Sequence, residues 1–249
     1  MSGMGRMQAI SVAVGAATMV ATPLSRQGGT GRRALSTMAV ASAFLATLGG
    51  TGRRWGIARG TVAAAAAIVG TMGVERVGTR TGIPFGRYRY TSALQPQVFG
   101  VPAIVPLAWF SMAVPAREVA HAALGDRSAV ATRILGGAAA LTAWDLFLDP
   151  QMVGEGYWRW SRRGAYRGVP VTNFFGWFVT SLGVMSALEV LLPPAEPAPD
   201  LVAEYGFMAA METVGFAAFF RDRTVAVVGG AAMLPVAMVA AARLVGHRS

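Results

Sequence analysis

Residues 134–160, ILGGAAALTAWDLFLDPQMVGEGYWRW, join an apolar run to two aspartates, a proline and a cluster of aromatic residues. The run from Ile134 to Leu148 has the composition of a helix in lipid, yet it contains Asp145 and is followed at once by Asp149. An ionisable side chain inside a membrane helix is costly, so it usually marks a functional site or a structural ion pair. The stretch therefore points to a membrane protein and raises the question of what its carboxyl groups do.

The rest of the chain has the same apolar character. Of its 249 residues, 54% are hydrophobic and 14% are charged, and the mean hydropathy is +0.48. A membrane-spanning helix needs about 20 mostly apolar residues. We therefore predict an all-α, polytopic integral membrane protein with seven to eight transmembrane helices, located in the cell membrane as a multi-pass protein. The apolar runs behind this prediction are Met7–Leu24, Ala34–Leu48, Thr61–Val74, Val98–Val114, Ile134–Leu148, Val171–Leu192, Tyr205–Phe220 and Thr224–Ala242.

A single transmembrane domain over residues 1–249 is predicted, because no polar stretch is long enough to fold alone. Within it, residues 1–74 are expected to form N-terminal scaffold helices, and residues 75–192 carry the unusual motifs. Residues 193–200 read as a proline-rich linker, since several prolines close together break a helix. Residues 201–249 are expected to form a C-terminal helix pair.

The basic residues indicate which partners to expect. All 22 are arginine, and the net charge is +10. They are spread over many connectors, which suits anionic lipid head groups better than nucleic acid. With eight helices, the connectors after odd-numbered helices share one face that holds thirteen of the arginines, against nine on the other. The positive-inside rule then favours a cytoplasmic position for that face.

Three unusual segments are predicted to share this face of the membrane. Residues 73–90, GVERVGTRTGIPFGRYRY, end the third helix with Glu75. The segment 143–160 ends the fifth helix, and residues 166–178, YRGVPVTNFFGWF, open the sixth with Asn173. Because two helices separate the first connector from the second, all three segments come to the same side. Polar residues gathered at one depth on one side indicate a site.

Asp145 and Asp149 are spaced i, i+4, so they are expected to lie on one helical face. Two nearby carboxylates in a low dielectric resist joint ionisation, so one of them can stay protonated. A protonated acid in an apolar pocket can donate a proton to an alkene. The carbocation that results can be stabilised by aromatic faces, for which the candidates are Trp144, Tyr157, Trp158 and Trp160.

Structural interpretations stay open for each of these residues. Asp149 could be a helix-end residue in the head-group region, and Asp145 could pair with an arginine. Glu75 could pair with the arginine that follows it. The tryptophans of GYWRW could belong to an interfacial aromatic belt, and Asn173 could be a helix cap.

Metal and nucleotide chemistry are not expected. The two histidines, His121 and His247, lie far apart in sequence without carboxylate-rich ligand spacing, and there is no cysteine. This argues against histidine-box di-iron chemistry and against thiolate metal sites. No P-loop and no GxGxxG motif between a strand and a helix is found. We therefore predict no metal and no cofactor.

Four motifs in order resemble a known family over roughly residues 75–177. They are TGIPFGRYRYT (81–91), VFGVPAIVPLAW (98–109), AWDLFLDPQMV with GYWRW (143–160) and YRGVPVTNFFGWF (166–178). The family is that of carotenoid-biosynthesis membrane proteins that include the carotenoid 1′,2′-hydratases, with bisanhydrobacterioruberin hydratase-like and γ-carotene 1′-hydroxylase-like members. The resemblance implies addition of water to the terminal double bond of an acyclic carotenoid, with no redox cofactor or oxygen.

On this hypothesis Asp145 or Asp149 protonates the alkene, and Glu75 and Asn173 orient the water that attacks the cation. The substrate is an acyclic carotenoid, and a complex with other carotenoid enzymes or pigment proteins is possible. The residues expected to contact substrate are Trp144, Tyr157, Trp158, Trp160, Asn173, Trp177, Phe85 and Tyr88.

Three other functions stay open at this point. A cofactor-free end-group cyclase would start from the same protonation but quench the cation within the substrate. A non-catalytic pigment-binding or assembly subunit would use the same aromatic residues without turnover. A transporter is disfavoured because no inverted repeat is evident.

Overall fold

The computed structural model describes residues 3–125 and 127–246, so His247 lies outside the described residues. These residues form eight α-helices, a short π-helix and two small two-stranded sheets. The helices are α1 (Gly3–Ala21), α2 (Thr30–Trp55), α3 (Ile57–Thr81), α4 (Ile104–Leu124), α5 (Val130–Gly154), α6 (Val171–Leu191), α7 (Pro199–Val214) and α8 (Arg223–Gly246), with the π-helix Gly215–Phe219 extending α7. The strands are β1 (Tyr88–Tyr90), β2 (Gln97–Val98), β3 (Val101–Pro102) and β4 (Trp158–Trp160). Each predicted apolar run corresponds to one helix, and the all-α prediction is confirmed.

Four of the helices, α2, α3, α6 and α8, are long and apolar enough to cross a membrane. The expectation of seven to eight spans is therefore supported for four helices only. The remaining four are shorter or carry polar and charged residues along their length. Length and composition alone do not identify these as spans.

Helix α4 lies at the centre of the bundle, where it contacts α2, α3, α5, α6, α7 and α8. Most of its side chains are buried, including Arg117 and Glu118. Because a buried charge is costly unless it is paired, Arg117 contacts two carboxyl groups. Its Nη1 lies 2.5 Å from Glu118 Oε1, and its Nε lies 3.0 Å from Glu189 Oε1. His121 Nε2 lies 2.5 Å from the same Glu189 oxygen, so this histidine is part of an ion-pair cluster that joins α4 to α6.

The loops that follow α1, α3, α5 and the π-helix meet at one end of the bundle. Gln27 after α1 donates a hydrogen bond to the carbonyl of Gly154 at the end of α5, and Arg167 donates to Asp222, which follows the π-helix. Strand β1 pairs with β4 across the same end. We call this end, formed by residues 22–29, 82–103, 155–170 and 220–222, the connector face. The three motif segments thus lie at one end of the bundle, as their predicted position on one face of the membrane requires.

Most helices extend beyond their predicted apolar runs, and α3 continues to Thr81, so Glu75 lies within it and not at its end. Two further differences concern the start of a helix. The run predicted from Val98 begins as a β-hairpin, and α4 starts only at Ile104. Helix α7 starts at Pro199, so the last two residues of the predicted linker are helical. Proline is tolerated there because the N–H groups of a helix's first turn have no hydrogen-bond partner within the helix, so the N–H group that proline lacks costs no hydrogen bond.

Candidate active site

The motifs YRY and WRW form the antiparallel pair of β1 and β4 at the connector face. The register sets the tyrosines opposite the tryptophans and Arg89 opposite Arg159. Successive side chains of a strand point to opposite faces, so the aromatic residues share one face and the two arginines share the other. Both arginines are exposed, while the aromatic residues are buried or half-buried. The strand pair therefore presents a continuous aromatic surface to the helices beneath it.

A glycine at the end of α3 turns the chain toward this strand pair. Gly82 has φ +82°, and its N–H donates a hydrogen bond to the Gly78 carbonyl at 2.8 Å. A Cβ at Gly82 would lie 2.7 Å from Cγ of Arg87, so both the conformation and the space require glycine. Gly78 also needs its small size, since a Cβ there would lie 2.9 Å from the ring of Phe85. These two glycines let the segment that follows fold back against α3.

Glu75 accepts three hydrogen bonds from aromatic side chains. Its Oε2 accepts from the hydroxyl groups of Tyr88 and of Tyr90, the latter at 2.7 Å, and its Oε1 accepts from Trp109 Nε1 at 3.1 Å. Burial, followed by the nearby charge of Glu75, raises the pKa of both tyrosines. Both phenols therefore stay protonated and act as donors. The hydrogen-bond partners of Glu75 are aromatic side chains, and among the described residues it forms no ion pair with Arg76.

Asp145 and Asp149 lie side by side and share a partner on α6. Their exposed fractions are 0% and 2%. Asn173 Nδ2 donates to Asp145 Oδ2 at 2.7 Å and also to Asp149 Oδ2, while Trp158 Nε1 donates to Asp149 Oδ1 at 3.0 Å. The amide of Asn173 thus joins the two carboxyl groups, while Oδ1 of Asp145 is buried without a hydrogen-bond partner among the described residues. Neither is paired with an arginine among the described residues, which argues against the purely structural interpretation.

Tryptophans from three helices surround these carboxyl groups. Trp109 and Trp177 are stacked, with ring centroids 3.8 Å apart, and Trp144 meets Trp177 edge-on at 6.1 Å. Besides Oδ1 of Asp145, two polar atoms of the surrounding aromatic side chains are buried without a hydrogen-bond partner among the described residues: Nε1 of Trp144 and the hydroxyl of Tyr157. A buried polar group without a partner is rare and calls for an explanation. Both groups could hydrogen-bond to a water molecule or a ligand.

A cavity of about 330 Å³ lies against these groups. Its walls are otherwise mostly apolar and come from α1, α2, α4, α5 and α7. Of the predicted site residues, Asp145 alone does not line the cavity and lies behind Asp149. The other ten do: Glu75, Phe85, Tyr88, Trp144, Asp149, Tyr157, Trp158, Trp160, Asn173 and Trp177. The structure thus brings together the residues of all three motif segments.

Among the cavity residues that the sequence reasoning missed, three carry polar groups of special interest: Tyr90, Trp109 and Glu212. Tyr90 alternates with Tyr88 in YRY, so the period of a strand could have placed both on one face. Trp109 ends the VFGVPAIVPLAW motif, but nothing local marks it as a partner of a glutamate. Glu212 is a lone acid within an apolar run, which is itself a signal for function in a membrane protein.

A family model described as "Carotenoid biosynthesis protein" matches residues 31–245. This confirms the resemblance inferred from the four motifs. A curated protein from Haloarcula japonica named bisanhydrobacterioruberin hydratase is 37% identical over 110 residues. The aligned part covers 43% of this chain and 37% of that protein. No solved structure matches the chain.

Proposed function

Because the chain belongs to the family of carotenoid biosynthesis proteins, we propose that it adds water to the terminal C1,2 double bond of an acyclic carotenoid end group. It would then be an enzyme of the hydro-lyase type and a multi-pass protein of the cell membrane. The hydratase name of the similar Haloarcula japonica protein supports this reaction. The observation that carries the proposal is a pair of buried carboxyl groups that share the donor Asn173, set against an apolar and aromatic cavity.

Asp149 is the proton donor in this proposal. It lines the cavity, whereas Asp145 is fully enclosed behind it. Two neighbouring carboxyl groups resist joint ionisation in a low dielectric, so the pair would keep a proton that Asp149 can deliver. Asn173 is a positioning residue, because its side-chain amide donates to both carboxyl groups and fixes their relative orientation. Trp158 holds the second oxygen of Asp149.

Protonation at C2 leaves a tertiary cation at C1 that has to survive until water attacks. The stacked pair of Trp109 and Trp177 offers an aromatic face, which attracts a desolvated cation by about 2 kcal/mol or more. Glu75 adds negative charge, and its hydrogen bond from Trp109 Nε1 joins that charge to the aromatic pair. Three donors already occupy Glu75, which makes it a better electrostatic stabiliser than a nucleophile.

Water capture completes the reaction without any change of oxidation state. The oxygen of one water molecule forms a bond to C1, and the proton it loses returns to the carboxyl pair. The product is a tertiary alcohol, and the acid is ready for another cycle. The unpartnered hydroxyl of Tyr157 and the side-chain oxygen of Asn173, which has no partner among the described residues, are the groups that would hold this water.

The cavity volume sets how much of the substrate is enclosed. Ligand pockets measure about 300–1,000 Å³, so a cavity of about 330 Å³ suits one end group of a carotenoid. The remaining polyene would extend along the apolar walls toward lipid. Any other carotenoid enzyme that supplies or removes the substrate could then act on the opposite end.

The test is expression in a bacterial host that accumulates lycopene, with the pigments extracted and analysed by chromatography and mass spectrometry. A gain in mass of one or two water molecules is expected. Asp149→Asn should lower hydration at least about 100-fold, the low end of what a general acid contributes. Asp222→Asn, at the edge of the connector face and paired with Arg167, is the matched control and should leave hydration unchanged.

Other results would point elsewhere. An isomeric product would identify an end-group cyclase, and unchanged pigment that co-purifies with the protein would identify a pigment-binding subunit. Full hydration by both Asp145→Asn and Asp149→Asn would eliminate the assignment of the acid.

A further inference from the structure

Helix α5 contains a proline in the turn that carries the two carboxyl groups. Pro150 follows Asp149 directly and is buried inside the helix, which continues to Gly154. Proline has no N–H group, so the carbonyl oxygen four residues earlier, that of Leu146, loses its partner within the helix. Proline also lowers the tendency of the residue before it to be helical, and that residue is Asp149. The helix is therefore weakened at the point where it positions the carboxyl pair.

The hydroxyl group of Tyr166 replaces the missing helical partner. It donates a hydrogen bond to the Leu146 carbonyl oxygen at 2.9 Å, across 20 residues of sequence. Burial, followed by the nearby charge of Asp222, raises the pKa of Tyr166 to about 12. The phenol therefore stays protonated and remains a donor near neutral pH. A side chain from the connector thus does here what a backbone N–H does in an uninterrupted helix.

The loop that carries Tyr166 holds this hydroxyl group in place. Val169 is fully buried and donates its N–H to the Tyr166 carbonyl at 2.8 Å. A Cβ at Gly164 would overlap the carbonyl group of Val169, so only glycine lets the two sides of the loop close. The ring of Tyr166 meets that of Phe174 on α6 edge-on, with centroids 5.7 Å apart. Tyr166 thus connects α5 to the first turn of α6, where Asn173 lies.

The hydrogen bond from Tyr166 lies within the helical turn that joins the two aspartates. In an α-helix the N–H of residue 149 bonds to the carbonyl of residue 145, and the carbonyl of Leu146 is the next one along the chain. A change in the partner of this carbonyl therefore alters the tilt of the turn from which both carboxyl groups project. Tyr166 itself does not line the cavity, and no step of the proposed hydration uses it.

We propose that Tyr166 is a positioning residue, which holds Asp149 in its reactive orientation by replacing, at the Leu146 carbonyl, the hydrogen bond that proline removes. The inference rests on the proposed function, because it assigns Tyr166 to the acid of that reaction. The effect passes through the backbone of α5, so Tyr166 makes no contact with the reacting atoms. Since the same loop leads into α6 and Asn173, the hydrogen bond also couples the acid to the amide that binds it.

The experiment is a double-mutant cycle on the purified full chain in lipid nanodiscs, with lycopene as the probe. Tyr166→Phe removes the hydroxyl group and keeps the ring. Pro150→Ala restores an N–H group that can bond to the Leu146 carbonyl, so the hydroxyl group becomes redundant. Thr142→Val is the matched control, because the Thr142 hydroxyl donates to the Ala138 carbonyl of the same helix. That carbonyl also has a regular helical N–H partner, so it does not depend on the hydroxyl group.

Two quantities are measured for each variant. The kcat and KM of hydration are obtained by mass spectrometry at a temperature well below the Tm of every variant. The infrared carbonyl-stretch band of Asp149 is recorded at a pH low enough to protonate this group, and it is identified by its absence in Asp149→Asn. The frequency of the band reports the hydrogen bonds of the carboxyl group and needs no turnover.

We expect Tyr166→Phe to lower kcat about tenfold with KM unchanged, and to shift the infrared band. In the Pro150→Ala background the same substitution should change kcat less than about twofold and leave the band in place. Thr142→Val should change neither quantity.

An equal loss of kcat in both backgrounds would overturn the inference, because the hydroxyl group would then act independently of the proline. An unshifted band in Tyr166→Phe would overturn it as well, even if Tm falls, because the role of the hydroxyl group would then be structural only. If the wild-type chain does not hydrate lycopene, but Tyr166→Phe shifts the band only where Pro150 is present, the positioning role stands and the hydratase proposal fails.

Discussion

Gly176 controls how closely the connector after α3 can approach α6. It lies on the buried side of α6, three residues after Asn173. A Cβ at this position would lie 2.7 Å from the carbonyl oxygen of Pro84 and 2.8 Å from Cδ1 of Phe85. A backbone carbonyl cannot rotate away as a flexible side chain can. Gly176→Ala should therefore push the connector that carries Phe85 and Tyr88 away from the helix.

The expected cost follows from the size of this overlap. Overpacking a tightly packed site by one methyl group costs about 1–3 kcal/mol. Gly183 on the same helix gives a matched comparison, because a Cβ there meets nothing within 4 Å. Gly183→Ala should stabilise the helix by roughly 0.5–1 kcal/mol through the lower backbone entropy of alanine. At about 2–4 °C per kcal/mol for a chain of this size, the two variants should differ in Tm by several degrees, with Gly176→Ala the lower.

Thermal unfolding in detergent, followed by tryptophan fluorescence, measures this difference, and the lycopene assay measures its effect on the site. Gly176→Ala should lose hydration even below its Tm, since Tyr88, one of the two tyrosines that donate to Glu75, is displaced. Gly183→Ala should keep full hydration. Equal Tm values and equal activities for the two variants would refute the packing argument.

Two further predictions test single contacts. Trp109→Phe keeps an aromatic ring but removes the hydrogen bond to Glu75. A hydrogen bond to a charged group contributes about 1.5–3 kcal/mol, so kcat should fall about tenfold or more with little change in KM. A change in KM alone would contradict this role. Arg32→Lys keeps the charge but cannot reproduce all the hydrogen bonds of Arg32 to Glu155 and to two backbone carbonyls. A hydrogen bond to a charged group contributes about 1.5–3 kcal/mol, so Tm should fall below that of the control Arg33→Lys, and equal Tm values would contradict this.

The existence of the helices could be predicted from the sequence, but several helix ends could not. Apolar runs identify these helices because most of the side chains along each helix are apolar. Helix α2 nevertheless continues beyond Leu48 through a glycine-rich segment to Trp55. Glycine has low helix propensity, so the sequence favours an earlier end. Tertiary packing decides otherwise, since a Cβ at Gly50 would lie 2.8 Å from Leu201 on α7.

The candidate site was predictable to the extent that it depends on helical periodicity and the order of the spans. The spacing of Asp145 and Asp149 and the shared face of the three motif segments follow from these alone. The donors to Glu75 do not, because Tyr90 reaches it through the pairing of strands about seventy residues apart. Trp109 reaches it through the packing of α4 on α3. Contacts of this kind have no local signature in a single sequence.

The position of the carboxyl groups along their helix would reconcile two requirements of the proposed hydration. The proposed substrate is soluble only in hydrocarbon, whereas the co-substrate would be water and the acid would need protons. In the middle of a hydrocarbon core of about 30 Å, both would have to cross a long apolar path. Asp149 instead lies near the end of α5, and Asn173 lies in the first turn of α6, beneath the strand pair of β1 and β4. In the proposed reaction the exposed Arg89 and Arg159 would place the outer face of this strand pair in the polar region of the membrane, and its aromatic face would restrict entry to the few water molecules that hydration consumes.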